Sequence, residues 1–500
     1  MKNLPNTEYL EFLESLSDSD REAIEAFFAD FDVYFKLSKS EKRRFLRDFE
    51  GAIMALCQRG TNVTEALSRL SMSNLGGFYA RPAVQWFPLD DAAKIYPFSM
   101  EHGRQQMFRL SVYFKEDVVP VVLQMALTFT IKRFPSFATT LKKGFFWHYL
   151  DAVKKRFSVE EECDMPCQPI KVSMSGSGAF RLTYYKNRMS VEFFHVLTDG
   201  TGGMAFVKAL AAEYLRLLGV ECDRSNYGDL YDVNETPNPD EFENTFVKLG
   251  RAKEGGGFVE KSALQLTGKP ASHTPCRVLH FKMSSDRLRE VSRSHGATVT
   301  AYLLLQMFLA CHAATDEISG DINIQVPVNM RKYYDSKTLR NFSMFCGVRI
   351  PVDQMSDKQE MLREIARQLV EKSAKDKMHS MITAAVSIVG GIRFIPLFIK
   401  DPLVRLVYSF MNEKSYTTTL SNLGVVTMPE PYARHIECMD FCLSAPAINR
   451  VACSAVTFGG TTVFTVCKMT SDPTFEEKIY QYFTDDGIEI EVEGSEYYAY

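Results

Sequence analysis

The chain has 500 residues, of which 46% are apolar and 24% charged, enough for two large lobes or about three domains around a sizeable core. Its formal net charge is −4 and its pI is near 6.2, which argues against a nucleic-acid partner or a broad polyanion-binding surface. Any anionic ligand has to be met locally.

The first stretch, MKNLPNTEYLEFLESLSDSDREAIEAFFAD, is acidic and has neither the basic start nor the apolar centre of a secretory signal, so a cytoplasmic chain is expected. Residues 1–75 carry helical periodicity in three stripes: Leu10, Leu13 and Leu16; Ile24, Phe27, Phe28 and Phe31; and Phe45, Phe49, Ile53 and Leu56. They are expected to form a helical appendage. A carrier-protein module would present a serine ahead of an apolar helix start, whereas Ser19 in Asp18–Asp20 is followed by Arg21 and Glu22.

From Trp86 onward, strands alternate with helices. Phe108 to Phe114 alternates as a strand, and Asp117 to Phe134 reads as a helix opened by Asp117. Phe180 to Tyr185 and Ser190 to Val196 flank Lys186, Asn187 and Arg188 as a hairpin. A helix from Thr201 to Leu218 is ended by Gly219. Residues 221–277, polar and containing Gly255 to Gly257, read as a crossover linker, leaving lobes at 80–220 and 278–500. In the second lobe the expected strands are Val278 to Met283, Ile322 to Val328, Met344 to Ile350 and Thr417 to Leu420, followed by a hairpin from Val451 to Cys467. The expected helices are Ser285 to His295, Val299 to Ala313, Lys358 to His379 and Phe475 to Phe483. The fold class is therefore α/β, or α+β, with two lobes of comparable size and a ligand cleft or tunnel between them.

Eleven cysteines are scattered without close pairs at metal-ligand spacing; Cys163 with Cys167 and Cys438 with Cys442 have no histidine at zinc-ligand distance. The apolar stretch Met381 to Met411 is broken by Arg393, Pro396, Lys400 and Pro402, short of the roughly 18 uninterrupted residues a bilayer span requires. Its pieces suit the core, an acyl pocket or peripheral contact with a membrane surface.

Chemistry concentrates at Phe193 to Ala205, FFHVLTDGTGGMA. Gly200, Gly202 and Ala205 match a dinucleotide fingerprint, but the following helix runs into VECDRSNYGDLYDVNE, which has no second strand ending in an acidic residue for the ribose. The segment GGGFVEKS at Gly255 to Ser262 has Glu260 where a phosphate loop requires glycine. The remaining reading is His195 at a strand end, with Asp199 and Gly200 closing the turn. An imidazole that titrates near neutrality is suited to taking a proton from a hydroxyl or amine. His312 and Asp316 share the same spacing at the end of an apolar helix and are read as structural. No G-x-S-x-G elbow accompanies His195, which argues against a serine hydrolase.

HVLTDG, its strand-turn-helix setting, the paired lobes and the apolar helix after His295 to Thr300 resemble the chloramphenicol-acetyltransferase-like superfamily, marked by H-x-x-x-D-G. Within it, Trp86 to Pro97 (WFPLDDAAKIYP) and Pro327 to Arg331 (PVNMR) are similar to the alcohol-acetyltransferase branch. The resemblance covers roughly residues 80–480. It implies an acyltransferase moving an acyl group from a thioester, acyl-coenzyme A as co-substrate, to a small-molecule alcohol or amine, with no metal or redox cofactor. His195 takes the place of the general base, Asp199 that of the aspartate that holds the motif in shape, and Gly200 that of the turn glycine. Ser421 and Asn422, in TTTLSNLG, are candidate oxyanion donors, and Arg331 is a candidate partner of Asp199. Many condensation domains have a second histidine where this chain has Phe194, a departure that weakens a peptide-bond-forming assignment and is compatible with the acetyltransferase branch. The alternatives are a carrier-protein-dependent condensation enzyme and a non-catalytic binding or scaffold protein of the same fold.

Overall fold

The computed structural model describes residues 7–81, 86–100, 105–170, 178–250, 261–269, 277–402, 414–444 and 449–494. The Gly255 to Gly257 run, and the stretch 403–411 of Met381 to Met411, lie outside the described residues.

Among the described residues, three sheets organise the molecule. One has five strands, in the order Ile436–Leu443, Met107–Phe114, Arg188–Phe194, Phe180–Tyr185 and Val159–Glu161. Its inner strand MFRLSVYF is buried along its whole length, because it is paired on both edges and covered by helices, as an apolar-rich central strand has to be. The hairpin at Lys186 and Asn187 is tight, with Lys186 in the left-handed region at φ 50°. It delivers the chain directly to His195.

The helix expected from Asp117 starts at Pro120 and ends at Thr130. Proline suits a first helical position because its missing N–H would have been unsatisfied there. The helix after the histidine motif runs Gly200–Leu217, and Gly219, at φ 99°, takes the left-handed conformation that ends it.

The second sheet has seven strands, in the order Ser343–Pro351, Asp321–Asn329, Thr418–Val425, Val451–Phe458, Thr461–Lys468, Arg277–Ser284 and Glu491–Gly494. The helix Val299–Ala313, capped by Thr298, packs into the core of this lobe. The long helix expected from Lys358 to His379 is two helices, Lys358–Lys372 and Lys375–Gly391, parted where Ala374 turns extended. The third sheet is small, in the order Trp86–Pro88, His148–Ala152 and Thr139–Lys143.

Chain order and spatial order part company at one strand. Ile436–Leu443 comes after most of the second sheet yet hydrogen-bonds to Met107–Phe114. A boundary placing all of residues 278–500 in the second lobe therefore misses this strand, which completes the first sheet.

Residues 7–81 carry the helices Thr7–Glu14, Asp18–Ala29, Phe31–Tyr34, Lys39–Gln58 and Val63–Arg69. Their aromatic face joins the core of the first lobe: Phe49 meets Phe129 edge-on at 6.3 Å, and Phe35 and Phe45 pack on Tyr79. Polar ties add to it, with Arg156 donating from Nη2 to Asp48 at 2.9 Å and from its backbone N–H to Glu41 at 2.9 Å. The second and third stripes bury Ile24, Phe31, Phe45, Phe49, Ile53 and Leu56, whereas in the first Leu10 is exposed, Leu13 and Leu16 are half-buried, and Tyr9 is the buried residue of that helix.

No single helix among the described residues is long and apolar enough to cross a membrane. Ser285–Ser294 with Val299–Ala313 pass such a test together only as a pair bent by 79°, and the second of them is mostly buried in the lobe.

Candidate active site

His195 follows the last residue of the strand Arg188–Phe194, and its backbone N–H donates to Gln106 at 2.9 Å. The imidazole is half-buried, stacked on Tyr96 at 4.7 Å and flanked edge-on by Phe108 at 5.1 Å. Two rings and a backbone anchor leave it little freedom to turn.

Asn341 decides its protonation. The Asn341 amide nitrogen donates to the His195 carbonyl at 2.9 Å and to Asp90 Oδ2 at 3.2 Å. With both acceptors claiming the nitrogen, the amide oxygen is the atom that faces the ring, 2.9 Å from Nδ1. An amide oxygen only accepts, so Nδ1 carries the proton and Nε2 keeps its lone pair. Burial holds the imidazole below its ordinary value of 6.5, an effect the Asp199 charge offsets only in part. At neutral pH the ring is therefore uncharged with Nε2 as the basic atom.

Asp90 anchors the amide from behind. It is fully buried, accepts from the Ala93 N–H at 2.7 Å and lies 3.7 Å from Arg340. Burial pushes its carboxyl above the usual range despite Arg340. The run of contacts from Nδ1 to Asn341 to Asp90 is closed to the protein interior.

Asp199 does a different task. It caps the helix Gly200–Leu217 by accepting from the Gly202 N–H at 3.0 Å. Its other oxygen accepts from Arg331 Nη1 at 2.8 Å and from the Phe342 N–H at 2.8 Å. Burial opposes its ionisation, but the Arg331 guanidinium and the two N–H groups win and hold the carboxyl below its ordinary value. Arg331 is itself fixed, donating to the Thr338 and Arg340 carbonyls at 2.8 and 2.6 Å. The aspartate thus pins the turn of one lobe to the 338–342 segment of the other rather than orienting the ring.

The glycines make this closeness possible. A Cβ at Gly202 would lie 2.1 Å from the Leu339 carbonyl oxygen, and one at Gly200 would lie 2.8 Å from the Leu423 side chain. Thr198 Oγ1 donates to the same Leu339 carbonyl at 2.6 Å. The glycine-rich turn therefore seats against protein backbone and leaves no phosphate cradle.

Leu423 belongs to the strand Thr418–Val425, so that strand reaches the motif. Side chains two apart share a strand face. Ser421 and Asn422 therefore face opposite sides of the strand, whose register shifts between Asn422 and Val425, where Leu423 lies. The Asn422 amide donates to Thr300 Oγ1 at 3.1 Å and accepts from the Gly424 N–H at 2.8 Å, so it ties the strand to the helix Val299–Ala313.

Asn341, Asp90 and Tyr96 carry no signal in spacing or composition that points to the imidazole. Asp90 and Tyr96 lie inside the WFPLDDAAKIYP segment, but their meeting with His195 is a tertiary event.

No protein-family model matches the chain, and no curated protein matches it. Solved structures do. TRI101 of F. sporotrichioides, complexed with coenzyme A and T-2, has a TM-score of 0.57 at 11% identity, covering 81% of this chain and all (100%) of that one. Polyketide synthase associated protein 5 of Mycobacterium tuberculosis has a TM-score of 0.51 at 13% identity, over 79% of this chain and 98% of that one. The epimerization domain from the third module of tyrocidine synthetase B has a TM-score of 0.53 at 11% identity, over 80% of this chain and 95% of that one.

Proposed function

We propose that the chain, on the two-lobed fold it shares with chloramphenicol-acetyltransferase-like proteins and condensation domains, is an acyltransferase of the alcohol-acetyltransferase type, moving an acyl group from acyl-coenzyme A to a small alcohol or amine. One observation carries the reading. The Nδ1 proton of His195 is committed to Asn341 on the protein side, which leaves an uncharged Nε2 as the free basic atom of a half-buried ring. The neighbours include acetyltransferases, one of them in complex with coenzyme A, which supports the thioester donor.

In this reaction Nε2 takes the acceptor's O–H or N–H proton as the oxygen or nitrogen bonds to the thioester carbonyl carbon. The tetrahedral oxyanion accepts from Ser421 Oγ across the lobe boundary. Collapse breaks the carbon–sulfur bond, and the imidazolium returns its proton to the departing thiolate. Asp199 and Arg331 do not touch the reacting atoms; they are positioning residues that keep the strand end against the second lobe.

The test is thiol release from a panel of acyl-coenzyme A donors with pooled alcohols and amines, and mass spectrometry of the products. His195→Ala is expected to lower the acceptor-dependent rate by about 10²- to 10⁴-fold. Equal rates in mutant and parent would overturn the catalytic reading in favour of a binding role. Transfer from acyl carrier protein, with none from coenzyme A, would make the chain a condensation enzyme.

A further inference from the structure

Two segments far apart in sequence meet at an aromatic prominence remote from the histidine motif in the chain. One is the tip of the hairpin joining Thr139–Lys143 to His148–Ala152, namely Gly144, Phe145, Phe146 and Trp147. The other follows the helix Lys375–Gly391 and contains Arg393, Phe394, Phe398 and Ile399. Phe145, Phe394 and Phe398 are 67%, 71% and 73% exposed, and Phe146 meets Phe394 at 6.3 Å. Scattered exposed apolar residues are normal, whereas large rings gathered from separate segments mark a contact surface.

The backbone beneath these rings is already satisfied. The Phe145 carbonyl accepts from the Leu397 N–H at 2.8 Å, the Phe146 carbonyl from Lys400 Nζ at 2.8 Å, and the Trp147 carbonyl from the Gly144 N–H at 3.0 Å. Lys400 also sits 3.2 Å from the Trp147 ring centre, buried under the tip. A protein partner tolerates unsatisfied carbonyls by supplying donors of its own, but hydrocarbon does not. Here the tip offers rings outward while its carbonyls point inward.

Charge narrows the occupant. Lys142, Lys143 and Arg393 are exposed beside the rings, and the Arg393 guanidinium lies 4.4 Å from the Phe394 ring centre. Lys142 pairs with Asp151 at 2.5 Å. Among the described residues, Lys143 and Arg393 have no carboxylate within ion-pair distance. Uncompensated cations around aromatic rings, on a chain of net charge −4, match the chemistry of an anionic bilayer surface: rings for the acyl boundary, cations for the headgroups.

We infer that this prominence docks the protein peripherally on anionic membranes. The inference is independent of the acyltransferase reading, because none of these residues belongs to the site around His195. The test is co-sedimentation of the full chain with vesicles of phosphatidylcholine alone and of equimolar phosphatidylcholine and phosphatidylserine. The parent protein is expected to partition at least about tenfold more strongly to the anionic vesicles. Phe394→Ser and Phe145→Ser, each checked for an unchanged thermal transition, should each reduce that partitioning severalfold. The pair Lys143→Glu with Arg393→Glu should abolish the preference for phosphatidylserine. Equal partitioning of parent and variants, or no vesicle binding by the parent, overturns the inference. So does a concentration-dependent dimer that Phe394→Ser dissolves, since the rings would then serve a second copy of the chain.

Discussion

His195 with Asp199 and His312 with Asp316 share the H-x-x-x-D spacing, yet the fold gives them opposite surroundings. The first pair lies at a lobe junction, with its aspartate buried and paired to Arg331, its histidine half-buried and Nδ1 held by Asn341. The second sits at the exposed C-terminal end of the helix Val299–Ala313, with both side chains toward solvent. Spacing is shared; embedding is not. A histidine becomes chemically useful when one ring nitrogen is committed and the other is left free, and that commitment comes from Asn341, distant in sequence.

The contrast breaks most sharply in activity. Against the loss expected for His195→Ala, His312→Ala should leave the transfer rate within about twofold, since surface changes away from special features perturb little. Comparable losses in the two variants would dissolve the comparison. Next in size is stability. Asp199→Ala leaves the half-buried Arg331 without its carboxylate and the Gly202 N–H without its cap, so chemical denaturation should show a loss of about 2–4 kcal/mol. Asp316→Ala should stay within about 0.5 kcal/mol.

Asn341→Ala removes the acceptor of the Nδ1–H. It should lower kcat/KM by roughly tenfold, the cost of an unmade buried hydrogen bond. Because that bond favours the protonated ring, its loss should also move the acid limb of the pH profile downward. A variant that lost stability but kept the parent profile would reduce Asn341 to a packing residue.

The smallest effect is in the parent profile itself. As the proposed general base His195 has to be uncharged, and burial depresses its pKa, so kcat/KM should fall with an acid-limb midpoint below 6.5. The sign for stability follows. As pH drops below 6.5 the unfolded chain's imidazole takes its proton first, so folded-state stability declines, by less in His195→Ala. A limb at or above 6.5 would contradict the burial argument.

Much of this was legible in local pattern. The hairpin before His195 and the helix stop at Gly219 rest on turn chemistry and left-handed glycine, both written within a few residues. Arg331 was nameable as a candidate only from its resemblance segment; its pairing with Asp199 spans 132 positions. Asn341 and Asp90 were not legible at all, because an amide that links an imidazole to a carboxylate has no periodicity to betray it. Asn422 looked like a donor in TTTLSNLG until strand alternation turned its amide toward Thr300. The helix break at Ala374 was likewise hidden, since no proline or glycine marks it.

The late strand Ile436–Leu443 has a consequence for biogenesis. Until it emerges from the ribosome, Met107–Phe114 has an open edge, with apolar faces and unmet N–H and C=O groups that invite foreign pairing. The amino-terminal half must therefore wait for the far end of its own polypeptide, so a truncation ahead of Ile436 should yield aggregates rather than an isolated lobe.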